Sequence, residues 1–238
     1  MDYGQSSRPA WWWSDLRSSR DDATDSWNGF KGKAVVTASS SLACRSVEEL
    51  VGGPTVQFSI DGLPLTGAFE LYPDEHERRQ TAGVGAITCR ALLHGLWLLP
   101  PGGSTPHAML PDVKVQRLRA APQVAIENNG GFVRTYEPPG VLRSVAFYGR
   151  NVKRSVDRAA RFTPIVQRFV FVEEHQVVHP SVEWVAREWG VGIIGLRQGS
   201  SPRVLVPASL AEIGVPSVYR WWVAELAYER YLQECPSG

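Results

Sequence analysis

Cysteine is scarce: Cys44, Cys89 and Cys235 are the only three in 238 residues. Three cannot pair completely, and they lie far apart with no Cys-x-x-Cys, which excludes a disulfide scaffold and makes a reducing cytoplasm the expected compartment. No apolar run reaches the roughly 18 to 20 residues a membrane helix requires, and residues 1–30 lack the apolar centre of a signal peptide, so no membrane partner is expected. Lysine is nearly missing as well. Of 25 basic residues only Lys31, Lys33, Lys114 and Lys153 are lysine, a bias that a GC-rich genome also produces. There is no Gly-x-Ser-x-Gly elbow and no evident activating base beside Cys44 or Cys89, so nucleophilic catalysis has no positive support.

What is present is enough for a core. The chain is 43% hydrophobic, 21% charged and 10% aromatic, which offsets the entropy of ordering and argues against global disorder. The net charge of +1 hides an asymmetry: residues 1–113 carry −4, residues 114–168 carry +8 and residues 169–238 carry −3. Such a basic middle is either a face that meets a polyanion or a segment that pairs with its acidic flanks.

Three regions emerge along the chain. Residues 1–30, with Trp11-Trp12-Trp13, have no periodicity and read as an irregular arm that docks on the body or on a partner. Residues 31–103 read as a region of strands and one helix. Ala34–Thr37 is a strand, and Thr55–Ile60 and Ala68–Tyr72 form a hairpin around Asp61–Gly67. Ile87, Arg90, Ala91, His94 and Leu98 suit a buried helix, and the Pro100–Pro106 cluster is the best internal boundary.

Residues 104–238 read as the core. Gln123–Ile126 and Phe132–Tyr136 form a second hairpin around Glu127-Asn128-Asn129-Gly130-Gly131, and Val141–Tyr148 is a strand. Asn151 caps a basic helix running to about Phe162, and Phe169–Val172 has the apolar continuity of a strand covered on both faces. Pro180 opens a helix that Gly190 closes, followed by strands at Val191–Leu196 and Arg203–Val206. Ser209–Glu212 resembles a capping box, and Ser217 caps a last helix containing Trp221 and Trp222.

Most motifs fail their context. Gly190–Gly195 matches Gly-x-Gly-x-x-Gly, but a helix precedes it and a strand follows, the reverse of a dinucleotide site. Gly29–Ala34 lacks the spacing of a phosphate loop, and His175 and His179, beside Glu173 and Glu174, read as a surface loop. Asp61 and Glu70, on neighbouring strands of the first hairpin, are the one carboxylate pair able to chelate a divalent ion such as Mg²⁺.

The order of elements from Val145 to Pro207 resembles the carboxyl-terminal half of the restriction-endonuclease-like core, the PD-(D/E)xK nuclease superfamily. The residues that carry it are Val145–Tyr148, the helix with Arg158-Ala159-Ala160-Arg161-Phe162, the strand Arg168–Val172, the helix Val182–Trp189 and the turn Gly190-Val191-Gly192. The resemblance implies an α/β fold with a mixed central sheet flanked by helices. The sequence departs from it where chemistry would sit. Phe147-Tyr148-Gly149-Arg150 replaces the Glu-x-Lys doublet, and Arg158 stands where many members carry glutamine. Glu137 stands where the family's aspartate lies, and an alternative alignment uses Asp61 with Glu70-Leu71-Tyr72.

Three functions follow as expectations. The first is nucleic-acid binding on a catalytically degenerate nuclease-like scaffold, with Arg143, Arg150, Lys153, Arg154, Arg158 and Arg161 on phosphates. The second is an assembly subunit whose Trp11, Trp12, Trp13, Trp221 and Trp222 anchor a protein partner. The third is a metal-dependent nuclease that uses Asp61 and Glu70, with Mg²⁺ as its ion.

Overall fold

The computed structural model describes residues 54–234 except 61, 150, 163–165, 174–175, 177, 198–200 and 210–216. The expected arm, the strand at Ala34–Thr37, Cys44, Cys235 and all but the first residue of the Ser209–Glu212 box lie outside them. Strands β1 (Thr55–Ile60) and β2 (Leu63–Leu71) form the first hairpin, closing with Ile60 opposite Leu63. The turn is therefore shorter than the sequence implied. Leu63 follows Gly62 directly as the first residue of β2, and Leu65 to Phe69 are buried without interruption.

Next come helices α1 (Pro73–Thr81) and α2 (Arg90–Trp97), then strand β3 (Ser104–Pro106), helix α3 (Asp112–Arg119) and the hairpin β4 (Ala125–Asn128) and β5 (Gly131–Arg134). Asn129 and Gly130 both take positive φ in that hairpin's turn, which the sequence anticipated from its Asn and Gly content. The three short strands pair in the order β3-β5-β4.

The chain then returns to the main sheet with β6 (Gly140–Tyr148), α4 (Val152–Ala160), β7 (Gln167–Glu173), α5 (Pro180–Glu188), β8 (Val191–Leu196), β9 (Arg203–Val206) and α6 (Val218–Glu234). The main sheet has six strands in the order β1-β2-β6-β7-β8-β9. Its first three strands are antiparallel, β6, β7 and β8 run parallel, and β9 returns antiparallel to β8. Parallel neighbours require crossovers, which α4 and α5 supply. The molecule is thus α/β with a mixed sheet and flanking helices. Because β2 pairs with β6, the Pro100–Pro106 segment connects elements that share one sheet.

Burial explains the central strands. On β7, Val170 and Val172 join a core that includes Val156 and Ala159 of α4, Ala186 of α5 and Trp221 of α6. The alternate residues Phe169 and Phe171 join Ala146 of β6 and Ile194 and Leu196 of β8 in a second cluster, on the other side of the pleat. Both faces of β7 are covered, which is why its sequence is uninterruptedly apolar.

The ends of the crossover helices are set by single residues. The Asn151 side chain accepts a hydrogen bond from the Arg154 amide at 3.0 Å, and the ring of His179 accepts one from the Ser181 amide at 3.2 Å. Gly190 ends α5 at φ +63°, where a Cβ would lie 2.6 Å from the Ser209 hydroxyl. Arg168, at the start of β7, donates to the Trp189 carbonyl at 2.6 Å and the Ala160 carbonyl at 3.5 Å. One cation thus answers the carboxyl ends of both crossover helices.

Candidate nucleic-acid interface

Helix α4 buries Ser155, Val156 and Ala159 and turns its charge outward. Arg154, Arg158 and Arg161 recur at i, i+4 and i+7, so they stand on one side of the helix away from that apolar stripe. Arg154 and Arg161 are exposed and Arg158 is half-buried, while exposed Lys153 and Asp157 occupy the adjoining side. Asp157 is the one acid of the helix. Among the described residues none of the four cations forms an ion pair. From Arg154 to Arg161 the row runs about 10 Å along the helix axis, a length over which duplex DNA presents about six charges.

The other expected phosphate contacts do not join this row. Arg143 lies at the opposite part of β6, where the Nε and Nη2 edge of its guanidinium meets Glu70 of β2 at 2.6 Å. That carboxylate holds the Arg143 pKa above its ordinary value, its hydrogen bond outweighing partial desolvation. Arg150 lies outside the described residues. The structure therefore gathers four of the six expected cations and assigns Arg143 to a different cluster.

The described catalytic candidates, Glu70 and Glu137, are each paired with an arginine. Asp61 lies outside the described residues. Glu70 sits at the far end of β2 from the turn, and the seven steps from Leu63 to Glu70 cover about 23 Å of extended strand. Glu137 is held by Arg134, with both carboxylate oxygens 2.8 Å from Nη2. Each described acid is already engaged by an arginine, and among the described residues no three His, Cys, Asp or Glu side chains converge as a metal would need. His179 serves as the cap of α5, and Gly190–Gly195 joins the end of α5 to β8, so a strand follows that turn where a dinucleotide site would have a helix.

The tryptophans of the last helix are core. Trp221 and Trp222 are 2% and 7% exposed, so the expectation that they anchor a protein partner is corrected. Their indole nitrogens donate to the Glu225 carboxylate at 2.8 Å and the Thr88 carbonyl at 3.0 Å. Among the described residues the exposed indoles are Trp184 of α5, 66% exposed, and Trp189 at its carboxyl end, 43% exposed.

Sequence reasoning missed a charged network beneath α1. Arg79 is fully buried, and its Nε donates to Glu75 at 2.8 Å. Nη1 and Nη2 donate to the two oxygens of Glu225 at 2.9 and 2.8 Å, and Nη2 also reaches the Glu137 carbonyl at 2.7 Å. Glu225 accepts from the Ile87 amide and the Trp221 indole, both at 2.8 Å, and the rings of Tyr136 and Tyr228 flank the guanidinium. Burial alone would lower the Arg79 pKa, but the bonds and charge of Glu225, then Glu75, hold it above its ordinary value. The recoverable signal was Glu75-x-x-x-Arg79 behind Pro73, an i, i+4 pair in a segment with no apolar periodicity.

Searches of family models, of curated proteins and of solved structures return no match to this chain.

Proposed function

We propose that the protein binds nucleic acid through the outward side of α4, on a scaffold of restriction-endonuclease-like type whose hydrolytic chemistry has been lost. The observation that carries the reading is the row Arg154, Arg158 and Arg161, flanked by Lys153, with no acid partner for any of them among the described residues. Guanidinium groups held on a rigid helix and left unneutralised suit phosphate oxygens, which accept their planar donor forks. An antiparallel β1-β2-β6 meander followed by helix-linked parallel strands β7 and β8 is consistent with the nuclease-like order.

Loss of hydrolysis rests on the strand that would bear the metal-binding doublet, where Phe147 and Tyr148 stand, and on the pairing of Glu70 and Glu137 with arginines. Glu70 could hold Mg²⁺ only after giving up Arg143, and a lone carboxylate positions such an ion poorly.

The test is binding of fluorescent duplex DNA, single-stranded DNA and RNA across a range of salt. Four phosphate contacts on duplex DNA give a slope of log affinity against log salt of about −3.6. A flat dependence, or a slope unchanged in the triple variant Arg154→Gln/Arg158→Gln/Arg161→Gln, rejects the reading. A second reading, assembly with a protein partner, is favoured by Trp184, whose exposed indole resembles the aromatic anchors of interfaces. Self-association or partner capture that Trp184→Ala abolishes, with nucleic-acid binding absent, selects it.

A further inference from the structure

A cleft of about 240 Å³ opens where the beginning of β6 meets α2 and the amino end of α6, and nothing in the α4 reading uses it. Tyr72, Trp97, Arg143, Ser217, Arg220 and Trp221 line it. Two guanidinium groups therefore share one small space with aromatic walls. Trp97 is half-buried and meets Trp221 edge-on at 6.4 Å between ring centroids, while Tyr72 is 42% exposed at the rim.

We propose that this cleft binds a nucleoside monophosphate unit, with the phosphate between Arg143 and Arg220 and the base against Trp97 and Tyr72. The chemistry selects phosphate over carboxylate. A phosphate monoester offers three terminal oxygens, enough for two guanidinium edges, whereas a carboxylate offers two and is satisfied by a single fork. Glu70 already occupies the Nε and Nη2 edge of Arg143, which leaves Nη1 for an incoming oxygen. Arg220 is held below its ordinary pKa first by desolvation, with Tyr72 opposing and the charge of Arg143 adding to it. An anion in the cleft works against that lowering. The α6 amino end, where the Ser217 hydroxyl accepts from the Arg220 amide at 3.0 Å, adds partial positive charge.

Size limits the ligand. The cleft falls below the roughly 300 to 1,000 Å³ of pockets that enclose a drug-sized molecule, so it suits one phosphate and one ring system. A base presents a broad π face to an indole, a contact that single-stranded nucleic acid uses repeatedly. The unit has two sources: a free mononucleotide or the phosphorylated end of a strand.

The test is titration of the whole protein with adenosine 5′-monophosphate, followed by tryptophan fluorescence and by calorimetry. Adenosine, inorganic phosphate and phenyl phosphate serve as controls. The expected result is saturable binding of the mononucleotide, at least ten-fold weaker in Arg143→Gln and in Arg220→Gln, and unchanged in Arg154→Gln. Thermal melts establish that each variant is folded. Glu70→Gln frees Arg143 without adding charge to the ligand and is expected to tighten binding several-fold, a readout that misfolding would not mimic. A 5′-phosphorylated oligonucleotide that binds where the free mononucleotide does not, more tightly than its 5′-hydroxyl counterpart and with that preference lost in Arg143→Gln and in Arg220→Gln, identifies the strand end as the source. Three outcomes overturn the proposal: no binding of either probe, equal binding of adenosine, or tighter binding of phenyl phosphate, which would point to a phosphotyrosine-like ligand. Because Arg154→Gln leaves this cleft intact, failure here is distinguishable from failure of the α4 interface.

Discussion

Arg79 and Glu225, 146 positions apart in the chain, meet through two hydrogen bonds of 2.8 and 2.9 Å with neither side chain exposed to solvent. Removing Arg79 leaves the Glu225 charge buried without a cation, whereas removing Glu225 leaves Arg79 paired with Glu75. Arg79→Met is expected to lower the unfolding free energy by about 3 to 5 kcal/mol, because an uncompensated charge remains buried, and Glu225→Gln by less. The double replacement Arg79→Met/Glu225→Leu should recover much of that loss, since Glu75 keeps its ion pair with Arg78. Urea denaturation of the three variants checks this; equal losses in Arg79→Met and the double variant would contradict it.

The indoles make a contrast on two helices. Trp221→Ala empties a core position and should cost about 3 to 5 kcal/mol, whereas Trp184→Ala, on an exposed side, should change stability by no more than about 0.5 kcal/mol. Chemical denaturation separates the two by their midpoints.

These two cases also mark how much of the molecule was legible in the sequence. Elements carried by apolar periodicity and conventional ends were readable: β7 from its unbroken apolar run, α4 from Asn151 and α5 from Pro180 and Gly190. Helix α1 was not, because its buried positions are Glu75 and Arg79, and a pattern search for apolar faces passes over a helix whose inner side is ionic. The α4 row was visible as a charge excess, and its side was computable from spacing. The Arg143 and Arg220 cleft was not, because strand pairing and helix docking bring together residues 77 positions apart in the sequence.

Gly190 should resist substitution. Gly190→Ala puts a Cβ at positive φ and against the Ser209 side chain, with an expected loss of about 1 to 2 kcal/mol. Gly85 has open space around its missing Cβ and no positive φ, so Gly85→Ala is expected to be neutral or slightly stabilising. Thermal melts of the pair decide the point.

Tyr228 should ionise late. Burial, which disfavours the phenolate, raises its pKa, and Glu225 and Glu75 add to this against the opposing charge of Arg79. A proton held more tightly in the folded state means that stability is fully present below the ordinary tyrosine value of about 10 and is lost as pH rises toward the raised folded value. Absorbance titration at alkaline pH should resolve a late tyrosine that Tyr228→Phe removes, together with its share of the alkaline destabilisation.

Along α4, each of Arg154→Gln, Arg158→Gln and Arg161→Gln should reduce the salt slope of duplex binding by about 0.9 while leaving the thermal midpoint nearly unchanged. Lys153→Gln tests the adjoining side in the same way. A loss of affinity with no change in slope would mean that the residue acts through something other than a phosphate.

The pairing of β2 with β6 has a consequence for how the chain reaches its native state. Leu71 ends one strand and its partner Gly140 begins the other, with three helices and a small sheet between them. The main sheet therefore closes through long loops, a topology that slows folding. A ribosome releasing this chain exposes the apolar edge of β2 well before β6 emerges, and Arg79 waits longer still for Glu225. Chaperone dependence during synthesis, greater than for a helical protein of this length, is the corollary.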